Sequence, residues 1–263
     1  MAEGRFPVIC EIEPATTPDL TRVRHQIGVL APVSSAYLIP DNHIGRATVS
    51  SVAVAHEVQA MGGRAIACLN ARDRNLLGFE RDLLTAAAYG VDEFLFVYGD
   101  KPTSGGRTSE LTVRSMIDHA RTATEARPFT GVRPFRVGAA TGLAPVPAWK
   151  RAADFLFVQV SYSLERLLAW RETVDTEADV YAGVMVVASE AMARRLMATT
   201  AEIDIPAELV RAVAADRDAG VEAAIELIAG IEASGAFAGV HLVPVSRYRQ
   251  IAARLEVTRP PAA

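Results

Sequence analysis

The chain has 263 residues, 50% hydrophobic and 22% charged, with a formal charge of −4. Such a chain is too apolar and too weakly charged to be disordered, and it has no basic surplus to coat a phosphate backbone, which argues against general nucleic-acid binding. No apolar run approaches the roughly 18 residues of a membrane span. The start, Met1-Ala2-Glu3-Gly4-Arg5-Phe6-Pro7, lacks a basic stretch followed by an apolar one, so no secretory signal and a cytoplasmic location are expected.

In chain order, eight near-continuously apolar runs rich in Val, Ile and Phe occupy residues 7–13, 35–40, 64–69, 93–98, 135–141, 154–160, 180–187 and 239–245. Strands of a parallel sheet, buried on both faces, have this character. Helical spacing fills the intervals. It opens at 17–33 on Thr17-Pro18-Asp19, stops after 48–61 at Gly62-Gly63 and after 77–89 at Gly90, and recurs at 112–125, 164–174 and 189–203. Residues 206–234 suit two helices with a break near Gly220, 248–257 suits another, and the Pro-rich 259–263 reads as a frayed end. Only residues 142–153, with two prolines, separate runs five and six, so the outer helix there has two turns at most and its loop is trimmed.

Strand then helix, eight times, predicts a (β/α)8 TIM barrel forming one catalytic domain over 1–263. A doubly wound open sheet is the alternative, disfavoured because no run reads as a polar edge strand. The loop Ser104-Gly105-Gly106 has neither phosphate-loop spacing and reads as a flexible βα loop.

In a barrel the active site gathers at the C-terminal strand ends. Those ends carry Glu11 and Glu13, then Asp41-Asn42, Gly99-Asp100, Gln159, and Ser246-Arg247. Glu11 and Glu13 share a face if the strand is regular, and a carboxyl inside an apolar barrel would stay protonated and serve as a general acid. Taken alone, either Glu reads first as a structural ion-pair partner for an Arg. Asp100 suits a polar heterocycle or a cation, or else caps its loop. Gln159, an amide in a buried strand, reads a ligand edge or bonds across the barrel. In the cluster Arg72-Asp73-Arg74-Asn75, Arg74 reads as solvated surface. The five His have no metal-ligand spacing, Cys10 and Cys68 fall in predicted strands as core, and no metal is expected.

Together these pieces resemble the methylenetetrahydrofolate reductase family. The resemblance lies in Glu11-Ile12-Glu13-Pro14 for Glu-x-x-Pro, Gly99-Asp100-Lys101-Pro102 for Gly-Asp-x-Pro, Arg72-Asp73-Arg74-Asn75, and Ala86-Ala87-Ala88-Tyr89-Gly90-Val91. It continues in Ala153-Asp154-Phe155 leading to Gln159 and in the stretch 164–170, out to about Leu196, with a weaker echo at 239–247. It implies a TIM barrel that reduces 5,10-methylenetetrahydrofolate to 5-methyltetrahydrofolate with nicotinamide as electron source. By position, Glu11 would be the general acid that opens the folate ring, and Asp100 would hold the pterin and stabilise the iminium. Gln159, Arg247 and Asn42 would contact the folate.

The family normally binds FAD, and here the sequence departs from it. Ala65-Ile66-Ala67-Cys68 replaces His-Leu-Thr-Cys, Tyr98 replaces an Arg, and Pro40 stands near a family Thr. The trimmed 142–153 lacks a family basic residue that aligns near Ala148. Two readings follow: FAD held by other residues, or, as preferred here, no flavin, with NADH or NADPH on the vacated floor beside Ala65, Tyr98 and Ala139. A folate-binding or partner subunit without turnover, and a flavin enzyme acting on another pterin or small imine, are the alternatives. The family often assembles, so a homo-oligomer is compatible with the resemblance.

Overall fold

The first apolar run pairs with the second on one edge and with the eighth on the other. In the computed structural model, which describes residues 5–200 and 203–258, β1 (Val8–Glu11) lies between β2 (Ala36–Ile39) and β8 (Gly239–Val243). β3 (Ala65–Asn70), β4 (Glu93–Val97), β5 (Arg136–Thr141), β6 (Phe155–Val158) and β7 (Asp179–Met185) complete a closed, all-parallel barrel in sequence order. This is the expected (β/α)8 TIM barrel. Every predicted run coincides with a strand, shortened at one or both ends, although β3 runs one residue past its run to Asn70 and β7 starts one residue before its run at Asp179. The reading of 259–263 as frayed and of the first four residues as no signal falls outside the described residues.

The helices follow the predicted intervals with shifted ends. α1 (Thr21–Leu30) starts four residues after Thr17, because Thr17-Pro18-Asp19 forms a bend whose Asp19 carboxylate takes the Thr21 N–H at 2.9 Å. α2 (Ser51–Ala60), α3 (Leu76–Ala88), α4 (Val113–Ala123), α6 (Leu164–Glu172) and α7 (Glu190–Thr199) are capped or stopped by residues flanking the periodic stretches. Asn75, Thr112, Ser163 and Ser189 each accept a backbone N–H at the N-cap. α5 (Ala148–Arg151) is a single turn. α8 (Ala207–Ala215) and α9 (Ala219–Ser234) break at 216–218, and α10 (Tyr248–Thr258) closes the ring against α1.

Alternation along each strand divides the apolar residues between two cores. Ile9, Leu38, Ile66, Leu95, Phe155, Phe157 and Tyr181 fill the barrel, while Val8, Cys10, Ala67, Phe94, Val137 and Leu156 face the helices. The barrel is narrow enough that inward positions beside the large rings are glycine. A Cβ on Gly138 would lie 2.1 Å from the Phe155 ring, and one on Gly239 would lie 2.9 Å from Tyr181. The N-terminal end is closed by ions: Arg64 binds Glu93 through both of its fork nitrogens, and Arg136 donates to Glu93 at 3.2 Å and Asp179 at 2.9 Å. The opposite end is left open.

Candidate functional site

The open end holds a cavity of about 490 Å³ that includes Glu11, Asp100 and Gln159 among its lining residues. These expected residues therefore meet at one mouth, although they leave three different strands. The inward register of Glu11 and Gln159 is set by the strand phase: Glu11 follows Ile9 by two, and Gln159 follows Phe157 by two.

Glu11 ends β1, and its Oε2 lies 3.1 Å from Nε2 of His241 on the adjoining β8. Both side chains are largely buried, and the imidazole stacks on Phe157 with centroids 5.0 Å apart. Glu13 does not share this face. The strand has ended before it; Glu13 is exposed and paired with Arg22 at 2.5 Å. The buried Gln26 of α1 turns the chain outward by binding both the N–H and the C=O of Glu13.

Gln159 lies one residue beyond β6, and its N–H still reaches the Thr141 carbonyl at 2.8 Å. Its side-chain oxygen takes the Val160 N–H at 2.9 Å, and its NH2 has no protein partner among the described residues. Asp100 accepts the Ile44 N–H at 2.8 Å. Ile44 and Asn42 are left-handed at φ 57° and 46°, and Val245 beyond β8 is left-handed at φ 51°. Non-glycine residues in that region cost about 1–3 kcal/mol each, and all three lie on the loops at the open end. Thr103 ties the same two loops together, its N–H reaching the Gly45 carbonyl at 2.8 Å.

Asp41 also lines the mouth, and it corrects the reading of Arg74 as solvated surface. Arg74 is 13% exposed; it donates to Asp41 at 2.6 Å, to Asp82 at 3.1 Å and to the Asn70 carbonyl at 2.7 Å. Asp41 lies 33 positions away in the chain, which hid the pair. Burial opposes the charge on Arg74, but the two carboxylates outweigh it and raise its pKa.

Other expected contacts do not line this cavity. Asn42 staples its own loop through Thr48 and ties it to the loop after β3 through Asp73. Arg247 lies against Asp218 at 3.9 Å with one guanidinium nitrogen buried and unpaired. Ala65 and Ala139 have the outward phase of β3 and β5 and pack among the helix-facing core. Tyr98 is half-exposed beneath the Arg72 guanidinium, 4.8 Å from its ring centre. The floor expected to receive nicotinamide is therefore made by other residues.

Three wall residues were missed. His241 stands two residues after Gly239, so strand phase alone could have turned it inward. Lys150 reaches the mouth from α5, its Nζ donating to the Ala140 carbonyl at 2.7 Å. Cys68 sits on the wall with its thiol pushed well above the ordinary range by burial and then by Glu11 and Asp41. Among the described residues no group of three or more His, Cys, Asp or Glu is placed to hold a metal, and no helix is long and apolar enough to cross a membrane.

No curated protein matches the chain. Among solved structures, an uncharacterized Clostridium thermocellum protein that binds two copies of 5-methyl-5,6,7,8-tetrahydrofolic acid superimposes with TM-score 0.64 at 10% identity, covering 98% of this chain and 97% of that one. The Bacillus cereus spore cortex-lytic enzyme SleL has TM-score 0.55 at 9% identity over 94% of this chain and 74% of its own. A long-chain alkane monooxygenase has TM-score 0.53 at 8% identity over 97% and 92%. At such identities these likenesses are of fold alone. A model of the methylenetetrahydrofolate reductase family matches residues 149–257. That span contains Lys150, Gln159 and His241, while Glu11 and Asp100 precede it. The resemblance to the methylenetetrahydrofolate reductase family read from the motifs is thus borne out, on a match running from α5 to the last helix.

Proposed function

We propose that the chain reduces 5,10-methylenetetrahydrofolate to 5-methyltetrahydrofolate with NADH or NADPH, by hydride transfer straight to the folate and without bound flavin. The observation that carries this reading is the convergence of Glu11, Asp100 and Gln159 on one barrel mouth, in a chain similar to the reductase family over residues 149–257.

The mouth pairs a proton source with an anion. Glu11 and His241, 3.1 Å apart, can share one proton, and Glu11 delivers it to folate N10 as the bond from N10 to the bridging methylene opens. The bond's electron pair goes to N10, and the N5 lone pair forms the N5-methylene iminium. The Asp100 carboxylate offsets that positive charge, and the free NH2 of Gln159 donates to an acceptor on the pterin edge. Bound NAD(P)H supplies a hydride to the methylene carbon, which becomes the N5-methyl group. One hydride and one proton are consumed.

The wall does not suit a resident flavin. Among the described residues Lys150 is the only Lys or Arg lining the cavity, and one-turn α5 gives a diphosphate no helix N-terminus to rest on. An open mouth with one cation fits a reductant that enters and leaves on each turnover. The fold neighbour that binds 5-methyltetrahydrofolate favours a second reading, folate binding without turnover.

One assay decides among these: oxidation of NADH and, separately, of NADPH by purified protein with and without methylenetetrahydrofolate, preceded by its visible absorbance spectrum. Folate-dependent oxidation by colourless protein is expected. Stoichiometric yellow flavin overturns the flavin-free step, and folate binding without oxidation overturns the reductase.

A further inference from the structure

Among the described residues the mouth presents Glu11, Asp41 and Asp100 but only one Lys or Arg, Lys150. Asp41 is neutralised by Arg74 at 2.6 Å, Asp100 holds the Ile44 N–H, and Glu11 faces His241. Lys150 is the exception: its ammonium bonds a carbonyl, that of Ala140, rather than a carboxylate. A neutral donor would serve that carbonyl equally well. The side chain is half-buried, and burial lowers its pKa, so the position disfavours the charge it carries.

The placement follows from the shortened connection. α5 begins seven residues after β5 ends and lasts one turn, so its third residue stands over the exit of β5 instead of on the outer wall. The Trp149 ring, 5.5 Å from the ammonium, backs the lysine, and the exposed Ala140 leaves open space in front of it. A charge held without a protein counter-ion, at the rim of a cavity, is arranged to receive one from outside.

We propose that Lys150 is the anion contact of the mouth, its ammonium meeting an oxygen anion of a bound ligand. Resting on the function proposed above, two sources share that chemistry: the diphosphate of NAD(P)H and a carboxylate of the folate glutamate tail. Lysine meets either as a point charge, without the geometric demand of a guanidinium.

The test titrates NADH and 5-methyltetrahydrofolate separately against wild type, Lys150→Met and Lys150→Arg, at low and high salt. Lys150→Met is expected to weaken one ligand about tenfold, as loss of a hydrogen bond to a charged group does. Lys150→Arg recovers most of that loss, and the salt dependence of that ligand's binding shrinks in Lys150→Met. Loss for NADH assigns the diphosphate, and loss for the folate assigns the tail. If the folded Lys150→Met protein binds both ligands as wild type does, the proposal is wrong while the reductase reading stands. If wild type binds neither ligand, both fall.

Discussion

Arg74 donates to Asp41 at 2.6 Å beneath the mouth, joining the loops after β2 and β3 through a guanidinium that is nearly buried. Its Nε reaches Asp82 on α3 at 3.1 Å. Arg74→Met would leave Asp41 buried without a counter-ion, and breaking such a pair costs about 3–5 kcal/mol. Urea unfolding should show the midpoint falling with little change in slope. Arg74→Lys keeps the charge but cannot span both carboxylates, so its loss should fall between the two. A midpoint within error of wild type for Arg74→Met would contradict the network.

Glu11→Gln removes the proposed acid while keeping its size. Turnover should fall about 10²–10⁴-fold, the usual contribution of general acid–base catalysis. His241→Gln should lose less. The double variant should lose no more than Glu11→Gln alone, because groups that act as one unit are not additive. Steady-state rates on the four proteins check this; independent, multiplying losses would separate His241 from the acid.

Asp100→Asn tests charge apart from structure. The amide oxygen can still accept the Ile44 N–H, so the strained turn keeps its support. The rate should fall roughly 10²-fold, as when one electrostatic stabiliser is removed, with thermal stability unchanged. A parallel loss of stability would mean that Asp100 chiefly holds its loop.

Alkaline pH should destabilise the fold. Burial pushes the Cys10 thiol up to about 12, and burial also raises the phenols of Tyr37, Tyr162 and Tyr181 and, with Glu11 and Asp41, the thiol of Cys68. Groups with raised folded pKa values add stability that is complete below their unfolded values, about 8.5 for Cys and 10 for Tyr. That stability is lost as pH rises toward the folded values. Denaturation midpoints should hold near neutrality and drop above about 8.5, and Cys10→Ala/Cys68→Ala should move the onset toward about 10.

The strands were legible because burial on both faces leaves uninterrupted apolar runs, and the strand ends carrying Glu11, Asp100 and Gln159 because a polar residue ending such a run has few other reasons to be there. Phase was harder. Ala65 and Ala139 were expected at the floor, yet a one-residue offset along a strand turns a side chain to the helices, as it did for both. His241 lay in plain view, two residues after Gly239, which faces the Tyr181 ring inside the barrel, so the strand's period alone turns it inward. Arg74 was misjudged because Asp41, its main partner, is 33 residues away. Lys150 depended on how short α5 would be, which two prolines bounded without fixing where its last turn points.

The contact between Glu11 and His241 spans 230 positions of the chain. It exists only when the last strand has docked against the first, so no partial assembly of the barrel can hold it. Contacts of such long range form late because the chain must first give up its loop entropy. During refolding, recovery of turnover should therefore trail recovery of helical signal and coincide with final closure. The acid site thereby reports on the integrity of the whole ring.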